Sequence, residues 1–152
     1  MKNLSNKVVW ITGASSGIGE ALCYEFARLN CKLVLSARRE SELERVKKNC
    51  PENLENILVL PFDLSDADNV KGLAEQVIRH FGRIDILINN GGVSQRSWAA
   101  ETPLEVDRKL FETNYFSTLA LTKSVLPYMI AQNSGYLVAT SSVAGKYGFF
   151  LR

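Results

Sequence analysis

Short, β-branched apolar runs alternate along this chain with longer segments in which apolar residues recur every three or four positions. Five runs read as buried strands, at residues 8–12, 32–36, 57–62, 84–89 and 136–141. Each is rich in Val, Ile and Leu and is closed by Gly, Pro, Asn, Asp or Ser. Between them the pattern predicts helices at 17–30, 40–49, 66–81 and 104–132. Thr102-Pro103 offers the last of these an N-cap and a first helical residue. That helix carries Leu110, Phe111, Tyr115, Phe116, Leu119, Leu121, Val125 and Leu126 over several turns.

Apolar strands that strictly alternate with helices imply a parallel sheet covered on both faces. The expected fold class is therefore α/β, a doubly wound parallel sheet of the Rossmann type, in one domain over residues 1–152. No linker, repeat or low-complexity tract interrupts it. Six strands are a common complement for such a sheet. Only the five above can be counted, so the sheet is expected to be incomplete at its C-terminal end.

Composition narrows the picture only slightly. With 46% hydrophobic and 22% charged residues in 152, the chain is long enough to bury a core. A net charge of +2 is too mild to argue for nucleic acid or an anionic membrane as partner. No run approaches the ~18 uninterrupted apolar residues of a membrane span, and "MKNLSNKVVWITG" lacks the apolar core of a secretory signal. Cys23, Cys31 and Cys50 are odd in number and form no C-x-x-C. They read as reduced thiols, with no metal site and no disulfide frame, and the expected location is cytoplasmic.

The chemistry turns on "ITGASSGIGE", residues 11–20. Gly13-Ala14-Ser15-Ser16-Gly17 satisfies G-x-S-x-G, the nucleophile elbow of serine hydrolases. The same stretch, with Gly13, Gly17 and Gly19, satisfies a glycine-rich nucleotide turn. A hydrolase needs a histidine on a later loop, and the one histidine, His80, falls in a helical pattern near its C-terminal end. A P-loop is excluded because no Gly-Lys-Ser/Thr follows. In the nucleotide reading Gly13 permits a tight turn out of the strand. Gly17 and Gly19 admit a pyrophosphate close to the next helix, whose N-terminus favours anions.

"TGASSGIG" resembles the cofactor motif of the short-chain dehydrogenase/reductase family. Further blocks recur in the family's order: "FDL" with Asp63-Leu64, "NNGG" at 89–92, "TNYFST" around Asn114, and "YLVATSSVAG". "INNGGVSQRS" is similar to an animal subgroup of that family, that of dehydrogenase/reductase member 7, whose N-terminal membrane segment is not among these residues. The resemblance implies a dinucleotide held by Gly13, Ser15, Ser16, Gly17, Ile18 and Gly19. It also implies Asp63 and Leu64 at the adenine, and Asn90 and Gly91 beside the adenosine ribose. Asp63 is equally suited to cap the following helix. The family usually has alanine where Gly91 stands; the missing methyl leaves the backbone path open, so Gly91 reads as a tolerated variant.

A carboxylate at the end of the second strand would hold the ribose 2′-hydroxyl of NAD, and an arginine there the 2′-phosphate of NADP. The chain has Ala37-Arg38-Arg39. NADP(H) is therefore the preferred cofactor and NAD(H) the lesser one, unless the arginines form only a solvated basic loop.

For the chemistry, the resemblance makes Ser142 the donor to the substrate carbonyl and Asn114 the support of a kinked helix and a relay water. Asn114 otherwise reads as a chance polar residue on a helix face, and the glycine usual three residues later is Ser117 here. The family's acid is the tyrosine of Y-x-x-x-K. No tyrosine of this chain has lysine four residues on, and the family spacing puts the pair a little beyond Arg152. Two readings follow. Either these residues are the cofactor half of a longer carbonyl/alcohol oxidoreductase, or they are a non-catalytic dinucleotide-binding module. Tyr147 is a poor substitute, since its neighbour Lys146 projects the other way on an extended segment.

Gln95, Arg96, Trp98, Tyr147, Phe149 and Phe150 are candidates for an apolar pocket mouth. The subgroup resemblance implies a small-molecule, lipophilic carbonyl substrate such as a steroid or retinoid. The family also implies a homodimer or homotetramer, assembled through the 104–132 helix.

Overall fold

The computed structural model of the chain describes residues 4–51, 54–66, 70–148 and 150–151. The elements run β1 (Val8–Thr12), α1 (Gly17–Arg28), β2 (Lys32–Ser36), α2 (Glu40–Asn49), β3 (Ile57–Val59), α3 (Val70–Phe81), β4 (Ile86–Asn89), α4 (Leu104–Phe111), α5 (Ser117–Ala131) and β5 (Tyr136–Ala139). The strands form one five-stranded sheet in the order β3-β2-β1-β4-β5, and every neighbouring pair is parallel.

Side chains on a strand alternate between faces, so β1 supplies both cores. Val9 and Ile11 pack with Cys23 and Ala27 of α1 and with Leu43 and Val46 of α2. Val8 and Trp10 face Leu73, Ala74 and Val77 of α3 and Leu121, Val125 and Met129 of α5. The chain winds outward from β1 in one direction to β3, then returns to β4 on its other side. That reversal opens a crevice beyond the carboxyl ends of β1 and β4.

The structure differs from the sequence pattern in four places. The predicted 104–132 helix is two helices, α4 and α5, joined at 112–116 by a turn of wider π geometry. Its mark is the Ser117 N–H donating to the Glu112 carbonyl five residues back, where the Ser117 hydroxyl also donates at 2.9 Å. The extra residue rotates the apolar stripe, burying Leu121, Val125 and Met129 while Phe111, Tyr115 and Phe116 stay exposed. Pro103 occupies the N-cap position itself rather than the first helical turn, and the Thr102 hydroxyl donates to the Trp98 carbonyl instead of capping. The strands β3, β4 and β5 are shorter than predicted, and the first part of the 66–81 segment includes residues 67–69, which lie outside those described. Finally, β5 is not buried. Tyr136 is 52% and Val138 44% exposed, because no described element covers the faces of β5. Among the described residues no helix is long and apolar enough to cross a membrane.

At the amino end of the sheet one charge organises the entry of two strands. The Asp85 carboxylate accepts from the Val8 N–H at 2.9 Å, from Lys7 Nζ at 3.1 Å, and from Arg83 Nε and Nη2 at 2.8 and 2.6 Å. Burial pushes this acid up, but the Arg83 guanidinium, the Val8 N–H and the Lys7 ammonium more than offset it, and its pKa falls below the ordinary 3.8. A depressed acid contributes stability that is present above its unfolded pKa and lost as pH falls through the folded one. Asp85→Asn is therefore expected to cost about 1–3 kcal/mol at neutral pH. In urea melts the gap to wild type should narrow below pH 3.8. A gap that stays constant into acid would show that the charge of Asp85 contributes nothing.

Candidate dinucleotide site at the carboxyl ends of the strands

The site begins where β1 ends. Gly13 leaves the strand with φ +64°, a left-handed conformation that glycine tolerates, and the Ala14 N–H donates to the Ser36 carbonyl of β2 at 3.1 Å. A Cβ on Gly13 would lie 2.7 Å from Gly91 Cα, and one on Gly19 would lie 2.1 Å from the Gly13 carbonyl oxygen. Three backbone segments thus meet at distances that admit no side chain. Ser16 stands at the N-cap of α1, yet its side chain makes no capping bond. The first-turn N–H groups therefore have no side-chain partner there and can receive an anion.

Thr12, the polar residue that closes β1, fastens the β4 exit to this turn. Its buried hydroxyl oxygen accepts from the Asn90 N–H at 3.0 Å and the Gly91 N–H at 2.9 Å. The Asn90 side chain donates to the Thr12 carbonyl at 3.1 Å and accepts from the Thr140 hydroxyl at 3.1 Å. The sequence assigns Thr12 no role of its own, although it opens the "TGASSGIG" block and is a lone hydroxyl at the end of an apolar strand. Gly91 also stands at this join. A Cβ there would lie 2.4 Å from Leu64 Cδ1 and 3.1 Å from the Gly13 N–H nitrogen, so the Leu64 side chain fills the space of the missing methyl.

These segments surround a cavity of about 430 Å³. Its walls include Gly13, Ser15, Ser16, Ile18, Arg38, Arg39, Asp63, Leu64, Asn90 and Gly91, all expected from the sequence. Gly17 and Gly19 shape the turn without lining the cavity. Lys109 of α4, Thr113 and Thr140 also line it and carried no local signal. Asp63 accepts from the Ser65 N–H at 2.9 Å, closing a tight local turn. That bond holds its pKa below the usual 3.8; burial raises it, and the Arg38 and Lys109 cations lower it further. Arg38 and Lys109 therefore give this acidic wall a cationic surround.

Asn114 and Ser142 lie outside the walls of that cavity. Asn114 sits in the π turn and uses its whole side-chain amide on one residue: Oδ1 accepts from the Val93 N–H and Nδ2 donates to the Val93 carbonyl, both at 2.8 Å. It ties the helix bend to the loop leaving β4. Ser142 follows β5 and accepts from the Ala144 N–H at 3.1 Å, which leaves its hydroxyl hydrogen to donate elsewhere. Tyr147 is 71% exposed. Of the candidate mouth residues, Trp98 and Phe150 stack edge to face at 5.1 Å, Gln95 accepts from the Ser97 hydroxyl, and Phe149 lies outside the described residues.

The comparisons agree with this geometry. A family model described as short chain dehydrogenase matches residues 7–152. The chain is 53% identical over 146 residues to human dehydrogenase/reductase SDR family member 7, covering 93% of this chain and 43% of that protein. It is 45% identical over 148 residues to the Drosophila melanogaster dehydrogenase/reductase SDR family protein 7-like, covering 95% and 45%. The chain thus spans less than half the length of these curated relatives. Among solved structures, a short chain dehydrogenase/reductase from Burkholderia phymatum in complex with NAD matches with TM-score 0.91 and 29% identity, over 99% of this chain and 54% of that one. A 7α-hydroxysteroid dehydrogenase complexed with NADH and 7-oxo glycochenodeoxycholic acid matches with TM-score 0.89 and 25% identity, over 98% and 58%.

The glycine contacts make a ranked prediction. A methyl at Gly17 meets nothing within 4 Å and costs only its strained φ of +58°, about 1–2 kcal/mol. A methyl at Gly19 collides with the Gly13 backbone, which must move. Gly19→Ala should therefore lower the urea midpoint more than Gly17→Ala does. The reverse order would refute the close approach.

Proposed function

This chain belongs to the short-chain dehydrogenase/reductase family, and from that premise we propose that the whole protein containing it is an NADP(H)-dependent oxidoreductase that interconverts a carbonyl and an alcohol. The observation that carries the reading is the single cavity walled by the glycine turn, Arg38, Asp63 and Asn90. The dinucleotide fits the residues present: a backbone cradle at Gly13 and Gly19 that a Cβ would obstruct, a helix N-terminus with no side-chain cap, and arginine where a carboxylate would repel a phosphate.

In this reading Ser15, Ser16 and Ile18 offer the phosphates the N-terminus of α1, and Arg38 grips the 2′-phosphate as a planar fork. Arg39 adds charge at the start of α2, and Asp63 accepts from the adenine amino group beside Leu64. NAD(H) is the lesser cofactor, because no carboxylate awaits the 2′-hydroxyl. When bound, a nicotinamide dinucleotide supplies or accepts the hydride. Ser142 donates its hydroxyl hydrogen to the carbonyl oxygen, where negative charge grows as the alkoxide forms. Asn114 holds the loop after β4 in place through Val93 and supports the proton route from the helix bend. The general acid is a tyrosine with a lysine four residues on, outside these residues.

The substrate is read as a lipophilic carbonyl compound, supported by the exposed aromatic pair Trp98–Phe150 near the β4 exit and by the steroid bound to the 7α-hydroxysteroid dehydrogenase. Self-association through α4 and α5 is supported by the outward Phe111, Tyr115 and Phe116. A reducing cytoplasm suits the three buried thiols, since burial pushes Cys31 and Cys50 up to about 11 and Cys23 further still.

Two experiments test the proposal. Arg38→Asp should weaken NADPH binding and narrow or reverse its advantage over NADH, by roughly 1–3 kcal/mol in relative affinity. Unchanged relative affinities in a calorimetric titration would remove Arg38 from the site. Ser142→Ala, in a protein that also carries the tyrosine and lysine, should slow turnover on the order of 100-fold and leave cofactor affinity nearly intact. Equal turnover would exclude Ser142 from the chemistry.

A further inference from the structure

We propose that Arg45, on α2, is a positioning residue for the dinucleotide site: its guanidinium holds the Ser15 carbonyl of the glycine-rich turn and neutralises Glu20 in the first turn of α1. The inference rests on the cofactor reading above and adds to it a residue that is not part of the cavity wall.

Its geometry is specific. Arg45 Nη2 donates to the Ser15 carbonyl at 3.1 Å and to Glu20 Oε2 at 2.9 Å, while Nη1 donates to Glu20 Oε1 at 2.8 Å. Nε donates to Glu42 Oε2 at 2.9 Å, which anchors the guanidinium on its own helix. One planar group thereby joins α2 to a turn 30 residues earlier. Lysine, with a point charge and no fork, cannot reproduce this set.

The Ser15 contact matters because a trans peptide unit is planar, with its C=O and N–H on opposite sides. Holding the Ser15 oxygen from outside the cavity fixes the direction of the Ser16 N–H, and both serines line the cavity. The Glu20 contact matters for charge. Hydrogen bonds from Arg45, and from the Tyr24 hydroxyl at 2.6 Å, hold the Glu20 pKa at about 2, so the carboxylate is ionised at every working pH. An acid in the first turn competes with any bound anion for the positive end of the same helix. Arg45 balances it from the far side of the turn.

The test uses the whole protein that contains these residues, with NADPH as the probe. Arg45→Met should raise the Kd for NADPH about tenfold, with Arg45→Lys between it and wild type. Adding Glu20→Gln to Arg45→Met should recover part of the loss by removing the unbalanced charge. Without ligand, amide exchange across residues 13–18 should quicken in Arg45→Met while β1 and β4 keep wild-type protection, which a general loss of fold would not give. Arg45→Met binding within about twofold of wild type, the worth of an ordinary surface ion pair, would overturn the proposal. So would unchanged exchange across the turn. A whole wild-type protein that binds no NADPH would instead defeat the cofactor reading, and the ligand-free exchange would still decide whether Arg45 holds the turn.

Discussion

The arrangement at the carboxyl end of the sheet depends on how closely the backbone leaving β1 approaches the backbone leaving β4. With 2.7 Å between a hypothetical Gly13 Cβ and Gly91 Cα, Gly13 has no room for a side chain pointing at the β4 exit. The Thr12 hydroxyl converts that proximity into a fixed join by accepting from two successive N–H groups of the opposite strand exit. Because β1 lies at the centre of the sheet and contributes to both cores, this join is held by the most deeply buried part of the molecule. The cavity floor therefore rests on the core, while its walls are built from Arg38 and Asp63 on the connections after β2 and β3 and from Lys109 on α4.

Charge is distributed to suit the two ends of the sheet. At the amino end Asp85 is buried and saturated by two cations and a backbone N–H, which ties the entries of β1 and β4 together. At the carboxyl end the acids are each restrained locally, Glu20 by Arg45 and Asp63 by the Ser65 N–H, so that N–H groups and arginines face the cavity. For the proposed dinucleotide, whose phosphates would lie at the N-terminus of α1, that restraint matters, since an unbalanced carboxylate in the first turn would use the same favourable potential.

The bend between α4 and α5 serves the site from the other side. A single extra residue in the helical turn at 112–116 swings Asn114 onto Val93, so the helix grips the loop after β4 with both atoms of one amide. Ser117 stabilises the widened turn through the Glu112 carbonyl, a bond that the glycine usual at this position lacks the side chain to make.

Much of this was legible in order along the chain. The apolar runs gave four strands their burial, and the alternation with helices gave the parallel sheet, because hydrophobic periodicity is a local property of sequence. The glycine turn, Arg38, Asp63 and Asn90 were also readable, since each follows a strand and strand ends converge in a doubly wound sheet. Other features were decided only by tertiary structure. The π turn differs from an α-helical one by a single shift in hydrogen-bond partner; hydrophobic periodicity runs through it unbroken, and only the resemblance around Asn114 implied a bend there. Lys109 reaches the cavity, Leu64 fills the place of a methyl at Gly91, and Arg45 meets Ser15 because packing brings together segments tens of residues apart. The exposure of β5 likewise follows from the lack of a covering layer on its faces among the described residues, since β3 at the other edge is partly covered. Local pattern fixes which elements form and what ends them; which side chains then share a few cubic ångströms depends on contacts across the fold that no window of sequence contains.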